Sequence, residues 1–117
     1  MFSLKRLLNS LKYAFQGLKY AWRTEQSFKM QVIIALIVVV LAFYFQIPAT
    51  KALILGLTIL MVLSFELVNT MAERIVDLVE PRWQGRVGHI KDVLAAAVLI
   101  AALGSIIIGL IIFWPYL

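Results

Sequence analysis

Ala52-Leu-Ile-Leu-Gly-Leu-Thr-Ile-Leu-Met-Val-Leu-Ser-Phe65, running without a break into Glu66-Leu-Val-Asn69-Thr70-Met-Ala-Glu73-Arg-Ile-Val-Asp77, is the stretch on which the fold turns. Fourteen uncharged residues lead to a carboxylate. An acidic side chain in a membrane-length apolar segment is costly, by ~2.5–3.5 kcal/mol at a helix centre. Three further polar groups follow at helical spacing. At ~100° per residue, Glu66, Asn69, Glu73 and Asp77 fall within roughly 80° of one another. Packing alone rarely asks for that stripe, whereas a site for phosphate and metal does.

The rest of the chain agrees with a bilayer setting. Of 117 residues, 63% are hydrophobic, and the mean hydropathy is +0.97. A soluble domain of this length has no core large enough to hide that much Leu, Ile and Val. Val32 to Ile47 carries no charge over 16 residues, and Val93 to Leu117 none over 25. A bilayer core of ~30 Å takes about 20 helical residues, so the last run spans outright and the first two do so with their flanks. The expected architecture is all-α and integral to the membrane, in one domain over 1–117. It has a surface helix over 1–30 and spans over 31–47, 51–79 and 90–115. A cleaved signal peptide is not expected, because the first apolar run starts only at Val32. There is no cysteine, which excludes disulfides, thiolate metal sites and a catalytic thiol.

The net charge of +5 is unevenly placed. Lys5, Arg6, Lys12, Lys19, Arg23 and Lys29 precede the first span, opposed only by Glu25. Lys51 stands alone between spans one and two. Arg74, Arg82, Arg86 and Lys91 lie between spans two and three. The positive-inside rule therefore puts the N-terminus and the second connection in the cytoplasm, together with the Glu66 to Asp77 stripe. Leu4, Leu7, Leu8, Leu11, Phe15, Leu18 and Trp22 recur at amphipathic spacing beside a stripe of lysines, as in a helix lying in the interface. Gln46-Ile-Pro48-Ala-Thr50-Lys51 reads as an external turn, with Pro48 ending the first membrane helix and open to a place in the first turn of the next. Glu80-Pro81 breaks the second, and residues 81–89 read as a polar loop. Ala97, Ala101, Ser105 and Gly109 stand four apart, a pattern that allows close helix packing.

Few polar groups are candidates for chemistry. Glu66 lies deepest, and Asn69, Glu73 and Asp77 climb from it over ~16 Å of helix. Lys91 and Asp92 stand near the start of the third span, and Glu25 lies just before the first. Two or three carboxylates with an amide oxygen suit Mg²⁺, which binds through one or two carboxylates plus substrate phosphates. A nearby lysine neutralises a transferring phosphoryl group. A carboxylate at the membrane boundary is placed to take the proton of a lipid hydroxyl. Taken singly, each group has a plainer reading: Glu66 as a hydrogen-bonded buried acid, Glu73 and Asp77 as a solvated helix end with Arg74, Asp92 as an acid near a helix start. A small proton-coupled transporter and a non-catalytic adaptor are the rivals from other classes. Crowding of charge at one edge of the membrane argues against the transporter.

Glu66-Leu-Val-Asn69-Thr70-Met71-Ala72-Glu73-Arg-Ile-Val76-Asp77, then Lys91-Asp92-Val-Leu-Ala95-Ala96-Ala97-Val98, resembles the signature of the small prokaryotic diacylglycerol kinases and their undecaprenol kinase relatives. Ala14-Phe-Gln-Gly17-Leu18 and Trp22-Arg-Thr-Glu25-Gln-Ser-Phe28-Lys29 extend the likeness over nearly the whole chain. The resemblance implies a homotrimer of subunits, each with an amphipathic surface helix and three transmembrane helices, in the bacterial inner membrane. It implies transfer of the γ-phosphate of MgATP to diacylglycerol or undecaprenol. Glu66 is then the general base, Glu25 and Glu73 hold Mg²⁺, and Asn69, Asp77, Lys91 and Asp92 hold or position phosphates. The sequence departs from the family in three places, one of them Gln31, where some members have an acid or a histidine. Met71-Ala72 inverts a small-then-aliphatic pair, and Arg82-Trp83-Gln84 replaces a loop that usually carries Glu, an aromatic and His.

Overall fold

The computed structural model describes residues 3–79 and 84–117. They form four α-helices, α1 (Leu4–Thr24), α2 (Gln26–Tyr44), α3 (Ala49–Val79) and α4 (Gln84–Phe113), then a 3₁₀ turn over Trp114–Tyr116. No strand occurs among the described residues. Helices α2, α3 and α4 are each long and apolar enough to cross a membrane. Arg82 and Trp83, two of the three residues that set the loop apart from the family pattern, lie outside the described residues.

Helix α1 begins at Ser3, whose Oγ accepts the Arg6 N–H at 3.4 Å, the N-cap arrangement. Its leucines and Phe15 are exposed, as suits a face that meets lipid. The helix ends at Thr24, so the expected surface segment to residue 30 is too long. Glu25 leaves helical geometry at φ −114°, ψ 108°. Its N–H still bonds the Ala21 carbonyl at 2.9 Å, and its own carbonyl accepts from Lys29 at 3.2 Å. The elbow therefore leaves the Glu25 backbone groups paired. Ala21 and Phe28 are the buried residues on its two sides.

Helix α2 ends earlier than its apolar run. The Ile47 N–H reaches back to the Ala42 carbonyl at 3.3 Å, and the Gln46 N–H to Phe43 at 3.2 Å. That pair of bonds is a Schellman cap, with Gln46 at φ 51° in the position that favours glycine. This cap, rather than Pro48, ends the helix. Pro48 instead starts α3 by accepting the Ala52 N–H at 3.0 Å. Gln46→Gly is expected to raise stability by about 0.5–1 kcal/mol, since a Cβ in left-handed geometry is a cost glycine lacks. Thermal unfolding in detergent checks it; no rise would mean the cap is not formed in solution.

Helix α3, at 31 residues, is about 46 Å long, well beyond a ~30 Å bilayer core. Its far end therefore extends beyond the bilayer. Its buried positions are Leu55, Val62, Glu66, Thr70 and Val76, so the deep carboxylate lies on the same side as the packing residues. Helix α4 forms the main partner of α3. It starts at Gln84 rather than near Ile90, so residues 84–89 are helical and not loop. At the opposite end, Phe45 meets Phe113 and Tyr116 at ring distances of 6.1 and 5.6 Å. Lys51 Nζ sits 5.5 Å from the Tyr116 ring, and this clasp ties the α2–α3 turn to the C-terminus. A Cβ on Gly109 would meet nothing within 4 Å, so no close approach within the chain uses that member of the small-residue stripe.

Candidate active site

The α3 stripe is graded in depth. Glu66 is only 4% exposed, as is Thr70 one turn on. Asn69 and Glu73 are half-buried, and Asp77 is exposed. The Thr70 hydroxyl donates to the main-chain carbonyl of Glu66 at 2.9 Å, which leaves the Glu66 carboxylate uninvolved in holding the helix. Asn69 Nδ2 donates to Glu73 Oε1 at 3.2 Å, the i, i+4 contact that helical spacing allows.

That contact decides which way the Asn69 amide points. A carboxylate only accepts, so Nδ2 must face Glu73 and Oδ1 must face away. Asn69 Oδ1 is then buried without a hydrogen-bond partner among the described residues. An unsatisfied buried acceptor costs about 1–3 kcal/mol.

Glu25 arrives from the elbow. Arg74 Nη2 donates to its Oε1 at 2.6 Å, bridging 49 positions of sequence. Arg74 follows Glu73 on α3, so this contact ties Glu25 to the helix that carries Glu66 and Glu73. A second link joins α3 to α4, where Lys91 Nζ meets Asp77 Oδ1 at 2.5 Å. Lys91 sits about two turns inside α4, and its neighbour Asp92 is exposed. His89, read as part of a loop, lies exposed in the first turns of α4.

Of the residues singled out from sequence, Glu25, Glu66, Asn69 and Glu73 come together in one chain. Asp77 and Lys91 form an adjacent pair, and Asp92 is not drawn into either group. Arg74 is the member that sequence reasoning missed. It entered only in the plainer reading of Glu73 and Asp77 as a solvated helix end, and it bonds Glu25. Spacing along one helix carries no signal for that contact.

The donor set suits a divalent cation bound together with phosphate. Glu25, Glu73 and Asn69 Oδ1 are hard oxygen donors. Among the described residues no group of three His, Cys, Asp or Glu side chains is arranged to hold a metal unaided. One or two carboxylates completed by phosphate oxygens and water is how Mg²⁺ is usually bound. Two apolar grooves open elsewhere along the helices, one of about 400 Å³ between α2, α3 and α4 with Val62, Ser105 and Gly109 in its wall. Neither is lined by Glu66, so the carboxylate cluster stands apart from them.

A membrane bundle with a carboxylate stripe at one end is the setting of a lipid kinase, and comparison with known proteins agrees. The model of the prokaryotic diacylglycerol kinase family matches residues 12–113. The chain is 29% identical over 111 residues to the diacylglycerol kinase of Escherichia coli K12, covering 95% of this chain and 91% of that one. It is 33% identical over 98 residues to the diacylglycerol kinase of Haemophilus influenzae, with 84% and 83% covered. To the undecaprenol kinase of Bacillus subtilis it is 34% identical over 114 residues, with 97% and 93% covered. The chain belongs to the prokaryotic diacylglycerol kinase family, and it is a lipid kinase.

Proposed function

We infer that this protein transfers the γ-phosphoryl group of ATP to the hydroxyl of diacylglycerol, giving phosphatidic acid. The observation that carries the reading is one face of α3 bearing Glu66, Asn69 and Glu73, with Glu25 tied to the same helix through Arg74 and the Asn69 oxygen unpartnered. That face is the one to which a lipid head group and a soluble nucleotide both have access. Undecaprenol is the second candidate acceptor, because the Bacillus subtilis relative that acts under that name matches along 97% of this chain.

In this reading Glu66 takes the proton of the lipid hydroxyl as its oxygen attacks the γ-phosphorus. The bond from that phosphorus to the β–γ bridging oxygen breaks, and ADP leaves. Transfer is direct, with no phosphoenzyme; the chain has no cysteine, and its one histidine lies outside the cluster. Glu25 and Glu73 would hold Mg²⁺, whose charge offsets that of the phosphates when it is bound. Lys91 orients the phosphates, with Asp77 fixing Lys91 and Asp92 beside it; Asn69, whose Nδ2 is taken by Glu73, would position them through the cation that its Oδ1 faces. Most of the rate acceleration is then positioning and charge neutralisation.

The uneven distribution of Lys and Arg supports a bacterial inner-membrane protein with the N-terminus and the site in the cytoplasm. The working unit is a homotrimer, in which the site is completed between subunits. A transporter would need its buried acid near mid-membrane and has no use for the Asp77–Lys91 pair.

The acceptor is tested by following ADP release in mixed micelles with each lipid in turn. We expect kcat/KM for diacylglycerol to exceed that for undecaprenol at least tenfold. The reverse ratio would reassign the acceptor, and no ADP with either lipid would contradict the kinase reading.

A further inference from the structure

We propose that Arg74 is a positioning residue for the phosphoryl-transfer site, holding the Glu25 carboxylate beside Glu66 and Glu73. The proposal rests on the lipid-kinase reading above and deepens it. Three observations carry it.

First, nothing else directs the Glu25 side chain. Glu25 occupies the N-cap of α2, yet its carboxylate makes no capping hydrogen bond. Its backbone groups already complete both α1 and α2, so the side chain is left over from the work of the elbow. Second, the cation best spaced to pair with it is engaged elsewhere. Lys29 stands at i+4 on α2, the position from which a lysine usually meets a glutamate. Its Nζ instead lies 5.4 Å from the Trp22 ring. Third, Arg74 bonds Oε1, and no described residue bonds the other carboxylate oxygen. A guanidinium on one oxygen fixes the carboxylate and leaves the second free for a cation. An outer partner of a ligating carboxylate does this work in metal sites generally.

The backbone makes the contact necessary. Glu25 is extended at the elbow, and freed from Arg74 its side chain would swing outward to water. Arg74 is on α3, the same helix as Glu66 and Glu73, so its grip fixes Glu25 relative to the other two. The remaining members of the cluster lack such a tether across helices, apart from Asp77 with Lys91.

The test compares wild type with Arg74→Met, Arg74→Lys, Glu25→Gln and the double variant Arg74→Met/Glu25→Gln, as full-length protein in mixed micelles. Two readouts are taken: binding of the Mg²⁺ complex of a non-hydrolysable ATP analogue by calorimetry, and kcat and KM with lipid. Arg74→Met should weaken analogue binding by about tenfold, the low end for losing an outer partner of a metal ligand. Arg74→Lys should recover part of it, by restoring charge without the fork. In the Glu25→Gln background Arg74→Met should add less than twofold, because a residue that acts only through Glu25 has nothing left to position. Full additivity in the double variant would overturn the proposal. So would unchanged analogue binding in Arg74→Met while Glu25→Gln is impaired. If Glu25→Gln itself binds and turns over like wild type, the metal role of Glu25 fails, and the proposal falls with it for that separate reason. If Arg74→Met does not fold, the comparison of Arg74→Lys with its own Glu25→Gln double decides in the same way.

Discussion

Glu66→Gln is expected to lower kcat for lipid phosphorylation by at least 10²-fold, the usual contribution of a positioned general base being 10²–10⁴. The amide has the same shape and cannot accept the proton that the lipid hydroxyl must lose. Stability should not fall. The hydrogen bond that involves this residue in the helix is the Thr70 hydroxyl to its main-chain carbonyl, which the substitution keeps. An amide of the same shape at a position only 4% exposed leaves the packing unchanged, so the unfolding temperature should hold. Initial rates with saturating lipid and ATP, set beside a thermal melt, check both halves. A variant within tenfold of wild type would take Glu66 out of the reaction.

Glu73→Gln is expected to raise the Mg²⁺ concentration needed for half-maximal rate by 10–100-fold, the range seen when the surroundings of a metal ligand are altered. The argument depends on what the substitution retains. A glutamine oxygen still accepts from Asn69 Nδ2, so the 3.2 Å contact and the direction of Asn69 Oδ1 survive. What is lost is one negative charge on a hard-oxygen donor, which Mg²⁺ needs more than it needs shape. Rates at very high Mg²⁺ should therefore recover a large part of the wild-type value, unlike those of Glu66→Gln. A titration of rate against Mg²⁺ separates the two residues. An unchanged half-maximal concentration would remove Glu73 as a ligand.

The parts of this site that the sequence made legible share one property: they lie on one helix. Glu66, Asn69, Glu73 and Asp77 are spaced by three and four residues, and helix geometry alone brings them to a face. The contact between Asn69 and Glu73 follows from the same spacing. Glu25 and Arg74 are separated by 49 positions, and no periodicity relates two residues on different elements. The family likeness drew attention to Glu25, but its partner appears only in three dimensions.

The element boundaries were misread for a similar reason. The amphipathic pattern from Leu4 to Trp22 stops short of Glu25, in step with α1 ending at Thr24, whereas Thr24-Glu25-Gln26 contains neither Gly nor Pro to mark where α2 begins. The stretch Gly85-Arg-Val-Gly88-His89 has the opposite problem. Two glycines and two basic residues suggest a loop, yet residues 84–89 continue α4. Local propensity is a weak prior, overridden by tertiary packing. Here the link from α3 to α4 falls at Asp77 and Lys91, about two turns after the start of α4. Gln46 is a third case, since a left-handed helix cap usually announces itself with glycine and here does not.

The central claim is direct phosphoryl transfer from ATP to a membrane lipid. It is met most squarely by a single-turnover reaction of excess purified protein with γ-labelled ATP, Mg²⁺ and diacylglycerol in mixed micelles, quenched and partitioned between organic solvent and protein precipitate. The account predicts label in the organic phase as phosphatidic acid, with none retained on the protein at any time. Label appearing first on the protein, or remaining entirely in the nucleotide while the protein is folded, would contradict it.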